Sequence, residues 1–533
     1  MSTVFNIKNL AYLLMHTLHV LYYILFVFTL NGSGQRIIST TYGKLEGKTV
    51  NVDQHMFKNV PFAKPPLGKL RFSLPEWTNP WKNIRNATEY SPSCFSNSSM
   101  RTDSNFFPMS EDCLYLNVFT NEYCLKSKNC STVVYYHGGG INMDSAVQFN
   151  DTFILERYVK ENVVFIIPAY RLGIFGLLYF GSNNLVPQNL AIHDCELALR
   201  FIHQEISNFG GHKDDINLMG HSAGAHISLI FGFTPFHRMT CPNCLSKTVT
   251  ILRRESALVN VHHYLLIETN LQCYKRNVTA RDTEIVKCLR KKDARSFMDW
   301  ENPYEVAHKF NFYHDSAPVN STYESFTQGI FVSTATYAEA QANAGGTVYL
   351  FQSNQQPSSH VSDMQYFVGT HREDYHTSDM DIMDTFYSKM IVNFTKFGSP
   401  SPVWEPLVPS RMNYYALEVN TEKGIWPRME EDFHESDVNF WFINMTAFDR
   451  EVTRQKKTSN GTSLTWSPMH PGPVILPTKT NESSSFDISS QWWFFAIIVV
   501  VALILFYLIY VLKRAILKHK EPQDDDETTT LFK

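Results

Sequence analysis

Charge is sparse in this chain, and neither sign prevails. Charged residues make up 18% of its 533 residues, with 47 basic against 51 acidic side chains. A chain so balanced lacks the basic excess that a phosphate backbone demands, so nucleic acid is not expected as a partner. Metal-ligand spacing is missing too: the 20 histidines and nine cysteines form no pattern that would hold zinc, and no metal or other cofactor is expected. The C terminus, Leu531-Phe-Lys533, is not a retention tetrapeptide, so neither the endoplasmic reticulum nor the cell surface is favoured. What the chain has in quantity is apolar: 44% of its residues are hydrophobic, ample for one large core.

Two long apolar runs frame that core. Residues 10–30 follow Lys8 and precede Gly32-Ser33-Gly34, which reads as a secretory signal over 1–34 cleaved before Gln35, with an uncleaved signal anchor as the alternative. Residues 492–512 contain no charge and as a helix would span about 30 Å. Trp492 and Trp493 suit one membrane interface, and Lys513-Arg514 with Lys518 and Lys520 suit the cytoplasmic one. The expected order is signal 1–34, globular domain 35–448, flexible stalk 449–491, transmembrane helix 492–512 and cytoplasmic tail 513–533. The domain then faces the lumen or the exterior, where disulfides persist. N-x-S/T sequons from Asn86 to Asn481 all precede the second run, in keeping with that topology. Cys124 and Cys130 could close a small local loop. Cys241-Pro-Asn-Cys244 has redox spacing but no thioredoxin-like context, and reads as a structural or idle pair. Cys195 lies in 188–209, where apolar residues recur at helical spacing, and should be a buried free thiol.

Gly220-His221-Ser222-Ala223-Gly224 carries the chemistry. It fits G-x-S-x-G, follows the apolar run Ile216-Asn-Leu-Met219 and opens a helix-compatible segment through Ile230. So tight a strand-to-helix turn lifts the serine hydroxyl into a cleft, with small neighbours making room. His137-Gly138-Gly139-Gly140 follows the strand-like run Ser131–Tyr136. Acyl transfer builds negative charge on a carbonyl oxygen, and glycine backbone N–H groups brought close to the nucleophile stabilise it. His360 follows the strand-like run Thr347–Gln352, downstream of the serine; an imidazole there suits the task of taking the serine proton.

With these motifs the chain resembles the type-B carboxylesterase family of carboxylesterases, cholinesterases and their non-enzymatic adhesion relatives. Matching segments run in family order over about residues 36–446: Pro61-Phe-Ala-Lys-Pro-Pro-Leu-Gly-Lys-Leu-Arg-Phe72, Ser110-Glu-Asp-Cys-Leu-Tyr-Leu-Asn117, Tyr170-Arg-Leu-Gly-Ile-Phe-Gly176, Asn208-Phe-Gly-Gly211, Cys288-Leu-Arg290 and Asn393-Phe-Thr-Lys-Phe-Gly-Ser-Pro400. The resemblance implies an α/β-hydrolase fold: a central, mostly parallel sheet flanked by helices, here with the C-terminal transmembrane helix added. It implies Ser222 as nucleophile, His360 as general base, and the N–H groups of Gly138, Gly139 and Ala223 as oxyanion hole. It pairs Cys94 with Cys113 and Cys273 with Cys288. His221 departs from the pattern, which has an acidic residue just before the serine. The choline-binding tryptophan of the family is also missing: residues 101–110 offer Phe106 and Phe107 instead, so choline esters are not expected.

The third triad member has no match. The family carries an acid in a D-E-G-like loop, and no such motif lies between Ser222 and His360. Phe310–Val319 resembles the approach to that loop and Phe331-Val-Ser-Thr334 the helix beyond it, so a block with the acid is expected to be missing between them. Asp315 and Glu324 lie at the junction, and nothing in their context singles out either. The leading expectation is a membrane-anchored serine esterase acting on a small-molecule or lipid-like ester, with acyl transfer to an alcohol or amine open. The alternative is a cholinesterase-like adhesion or signalling protein without catalysis, engaging a protein partner. A truncated product with an unpaired sheet edge is the third reading.

Overall fold

The computed structural model describes residues 34–96, 108–178, 186–232, 272–273, 282–297, 331–355, 363–370 and 377–458. The chain divides into two compact units, Met1–Arg454 and Gln455–Lys533. Thirteen strands are described: β1 Gln35–Ser39, β2 Lys44–Val50, β3 Gln54–Pro61, β4 Arg85–Asn86, β5 Ser93–Cys94, β6 Met109–Ser110, β7 Tyr115–Asn121, β8 Cys130–Tyr136, β9 Val163–Pro168, β10 Gly211–Gly220, β11 Phe351–Ser353, β12 Tyr414–Leu417 and β13 Arg428–Glu430. Eight of them form one sheet in the order β1-β2-β3-β7-β9-β8-β10, with β4 beside β2.

The connections explain the strand directions. Short turns join β1 to β2 and β2 to β3, so those pairs are antiparallel. The connections from β8 to β9 and from β9 to β10 contain the helices Asp151–Arg157 and Leu190–Glu205, and those crossovers make β9-β8-β10 parallel. The expected mostly parallel sheet is therefore corrected to a mixed one. Antiparallel pairing holds at β1-β2, β2-β3, β3-β7 and β7-β9, and parallel pairing at β2-β4, β8-β9 and β8-β10.

Strands β8 and β9 are buried along their whole length, which is why residues 133–136 and 163–167 read as apolar or aromatic runs without alternation. The helix Leu190–Glu205 and a 3₁₀ turn at Ile206–Phe209 fill the stretch expected to be helical, and Gly210 at φ 95° ends it. Cys195 is a fully buried free thiol on this helix, as its spacing predicts. Burial, then Asp194, raises it well above the ordinary thiol range. The long helix Ser378–Phe397 is capped by the Thr377 hydroxyl and closed by Gly398 at φ 71°.

Among the described residues three disulfides are formed: Cys94–Cys113, Cys273–Cys288 and the small loop Cys124–Cys130. Beside the first of them, three of the matching sequence segments meet at a buried guanidinium. Arg71 pairs with Glu111 through two bonds of 2.6 and 2.5 Å, and donates to the carbonyls of Leu289 and Lys292. Arg290 in turn donates to the carbonyl of Arg71. A second buried pair, Arg171 with Asp194, joins the loop after β9 to the helix Leu190–Glu205.

Among the described residues no helix is long and apolar enough to cross a membrane. The runs 10–30 and 492–512, the pair Cys241 and Cys244, and the tail lie outside the described residues. The helix Met445–Thr458 runs past residue 448 into the start of the stretch 449–491 expected as a flexible stalk, and residues 459–491 lie outside the described residues. The Arg454–Glu451 pair, one helical turn apart, supports that extension.

Candidate active site

Strand order places the site. Strand β9 lies on one side of β8, and the chain then crosses to lay β10 on the other. In parallel sheets a crevice opens outside the carboxyl ends of the strands where the order reverses in this way. Two loops leave the sheet at that point, and they leave it side by side, because Gly220 is in register with Tyr136. One begins at His137 and carries the three glycines; the other is the turn that carries Ser222.

Ser222 lies between β10 and the helix Ala223–Gly232 at φ 53°, a left-handed conformation costly for a residue with a side chain. Such strain persists only where the surroundings enforce it, and the enforcement is visible. The N–H of Gly224 donates to the carbonyl of His221 at 2.9 Å, and that of Ala225 to the carbonyl of Ser222 at 3.0 Å. Gly224 lies so close to β8 that a Cβ there would run into the Tyr136 carbonyl and stand 2.6 Å from that of His137. The elbow is thus pressed onto the end of the neighbouring strand, and only glycine permits it.

The glycine loop returns the contact. A Cβ on Gly138 would lie 3.1 Å from Ser222 Cβ, 3.1 Å from His221 Nδ1 and 2.9 Å from the His221 carbonyl oxygen. Gly139 and Gly140 take φ 84° and 60°, and the N–H groups of Asn142 and Met143 both close onto the Gly139 carbonyl at 2.9 Å. The loop is anchored by Tyr170, which follows β9. Its hydroxyl donates to the His137 carbonyl at 2.6 Å, and its ring stacks on the His137 imidazole at 4.3 Å. Burial, with Cys195 and Asp144 adding to it, pushes the Tyr170 phenol well above its usual range, so it stays a neutral donor.

The structure therefore brings together four of the five expected residues: Ser222, Ala223, Gly138 and Gly139. His360 lies outside the described residues, as do Asp315 and Glu324. The described chain resumes at Asp363 with the short helix Met364–Phe367, whose Phe367 ring stands 6.4 Å from that of His221. One residue escaped the sequence reading. His226 is one turn beyond Ser222 on the helix, buried, and hydrogen-bonded to the Ser222 backbone. Burial pushes its pKa down to about 4, with the bond to Ser222 opposing, so the imidazole is neutral near pH 7. The i, i+4 spacing from Ser222 was the available signal.

Beside the elbow lies an apolar cavity of about 30 Å³, lined by Met219, Gly220, Phe351, Tyr387 and Trp404 among others. It joins the end of β10 to β11, and among the described residues β10 is hydrogen-bonded only on its β8 side. No group of histidine, cysteine or carboxylate side chains fit for a metal occurs among the described residues.

The chain is similar in sequence to known proteins. The sequence model of the carboxylesterase family matches residues 34–327. Carboxylesterase 1C of Mus musculus is 32% identical over 279 residues, 49% of this chain and 49% of the relative. Acylcarnitine hydrolase of Mus musculus is 34% identical over 202 residues, 35% of each chain. Acetylcholinesterase of Bungarus fasciatus is 31% identical over 305 residues, 52% of this chain and 48% of the relative. The chain spans about half the length of the curated relatives it matches.

Proposed function

Because the chain belongs to the carboxylesterase family, we propose that it is a serine hydrolase of carboxylic esters working through Ser222. The observation that carries the reading is the strained Ser222 held against Gly138 at the crevice between β8 and β10. In this reading the Ser222 hydroxyl attacks the ester carbonyl carbon while His360 takes its proton. The N–H groups of Gly138, Gly139 and Ala223 stabilise the oxyanion. The bond to the alcohol breaks, and the alcohol leaves with the proton from His360. Water then attacks the acyl-enzyme, giving up a proton to His360, and the carboxylic acid departs as Ser222 regains it. An alcohol or amine in place of water would make the same acyl-enzyme a transferase intermediate.

A triad without its acid keeps the nucleophile and the oxyanion hole while losing about 10⁴-fold in turnover. The expected substrates are small or lipid-like esters, in line with the carboxylesterase and acylcarnitine hydrolase names of relatives. We place the hydrolase on the lumenal or extracellular side of a membrane, anchored by 492–512. Support comes from three disulfides, which persist in oxidising compartments.

The test is titration of the purified full chain, in detergent, with a fluorescent organophosphonate. The expected result is stoichiometric labelling, abolished by Ser222→Ala and slowed by His360→Ala. A folded protein that takes up no label would refute the reading and leave the non-catalytic adhesion alternative in its place.

A further inference from the structure

The loop that leads into β8 carries a sequon of a kind the rest of the chain does not repeat. Asn129-Cys130-Ser131 fits N-x-S, and its middle residue is a cysteine engaged in a disulfide. The local structure follows from the short helix Glu122–Ser127. Asn121 caps it by accepting the Cys124 N–H at 2.8 Å, and Lys128, left-handed at φ 52°, ends it by donating to the Cys124 carbonyl. The chain then turns through Asn129 into β8 at Cys130, which the disulfide ties back to Cys124. Asn129 is exposed, and its side chain makes no hydrogen bond among the described residues. The next two residues are buried. Cys130 is 4% exposed and in register with Gly211, and Ser131 is 9% exposed and in register with Val163. The Ser131 hydroxyl donates to Asp215 at 2.5 Å. Once folded, the sequon presents its amide and withholds its hydroxyl, whereas glycan transfer needs both within reach together. Oxidation comes early to the same three residues. The two cysteines are separated by 6 residues, against 15 and 19 in the other described pairs. On loop-closure entropy alone, their thiols meet about 4–6-fold more often in the unfolded chain.

We propose that Asn129 is a conditional N-glycosylation site, occupied only in chains that receive the sugar before Cys124 pairs with Cys130. The proposal rests on the lumenal or extracellular placement of the domain. Transfer joins the Asn129 amide nitrogen to the anomeric carbon of an oligosaccharide borne on a lipid pyrophosphate; the sugar–phosphate bond breaks and the amide gives up a proton. Closure of the disulfide passes two electrons from the two thiols to an incoming disulfide, which departs as a pair of thiols with the two protons. If closure comes first, the ring fixes the middle residue of the sequon, β8 takes up Ser131 and Asn129 stays bare. If transfer comes first, the sugar extends from an exposed position and leaves Cys130 free to pair afterwards. Two glycoforms of one fold result.

The test is mass spectrometry of the full chain made in a secretory cell, with glycans removed enzymatically so that each occupied asparagine is read as aspartate. It compares the wild type with Cys124→Ala, which leaves the sequon intact, and Ser131→Ala, which destroys it. Asn86-Ala-Thr88, whose asparagine is exposed and which contains no cysteine, is the internal reference. The wild type should carry sugar at Asn129 in a smaller fraction of molecules than at Asn86, and Ser131→Ala should carry none there. Cys124→Ala should raise the fraction at Asn129 about twofold or more and leave that at Asn86 unchanged. A reductant added during synthesis should do the same to the wild type. Because the sugar is added to the unfolded segment, the result does not depend on how stably Cys124→Ala folds. Sugar on other sequons, with a fraction at Asn129 that fails to rise in Cys124→Ala, would overturn the proposal alone. A chain without sugar at any sequon would instead overturn the lumenal placement, and this inference with it.

Discussion

Acidification should loosen this fold through one side chain, His226. Its pKa is about 4 in the folded chain because burial penalises the imidazolium, against 6.5 in an exposed setting. The unfolded chain then binds more protons than the folded one wherever pH lies between these values, so stability falls as pH falls through that window. Near pH 7 both states are mostly neutral and the group contributes little. At pH 5 the unfolded imidazole is nearly all protonated and the folded one nearly all neutral, which shifts the balance by about 2 kcal/mol towards unfolding. Below pH 4 the penalty levels off at about 3 kcal/mol. Urea titration of the purified chain at pH 7 and pH 5, followed by tryptophan fluorescence, reads this directly. His226→Gln, neutral at both pH values, should lose about 2 kcal/mol less between them than the wild type does. The reasoning fails if the variant and the wild type lose the same stability on acidification, because the acid sensitivity would then belong to other groups. The elbow helix should be the first part affected, since a proton on His226 arrives one turn from Ser222. Phosphonate labelling at pH 5 should therefore decline in the wild type before global unfolding, and less in His226→Gln.

Two further substitutions test the architecture. Gly224→Ala places a methyl against the carbonyls of Tyr136 and His137, both backbone atoms that cannot swing aside. It should cost about 1–3 kcal/mol of stability and abolish Ser222 labelling in whatever protein folds, whereas Gly232→Ala on the same helix meets nothing within 4 Å and should leave labelling intact. Arg71→Leu leaves Glu111 charged and unpaired in a buried site and two carbonyls without their donor, so a loss of about 3–5 kcal/mol is expected. Arg71→Leu combined with Glu111→Gln should recover part of it, as a double-mutant cycle in urea would show.

Much of the site was legible in the sequence because local rules and tertiary rules agree there. The stretch 216–224 says strand, then turn, then helix, and the structure has β10, Ser222 at φ 53° and the helix from Ala223. The buried thiol at Cys195 and the extended run at 131–136 were legible for the same reason. Strand direction was not, because it depends on which strands become neighbours. The run at 115–121 reads the same whether its partner is parallel, and only the pairing of β7 with β3 and β9 makes it antiparallel on both sides. The roles of Arg71 and Arg171 were also hidden, since a buried guanidinium is defined by partners as remote as Glu111, Leu289 and Asp194. His226 was half hidden: its i, i+4 spacing puts it one turn from Ser222, but a lone histidine on a helix carries no sign of its burial.

These differences converge on one physical point about the crevice. Ser222 and Gly138 are 84 positions apart in sequence, yet their juxtaposition follows from a single crossover, the passage of the chain from β9 over β8 to β10. Once Gly220 is in register with Tyr136, the two loops must meet, and the residues that then decide reactivity are those with nowhere else to go. Gly224 yields its side chain to the Tyr136 carbonyl, His226 yields its charge to burial, and His221 is left packed against Gly138. A site assembled in this way should be more sensitive to the volume and charge of its packing residues than to changes on the outer surface. On that ground His221 and His226, rather than any exposed acid, are the packing residues on which reactivity at Ser222 should depend most.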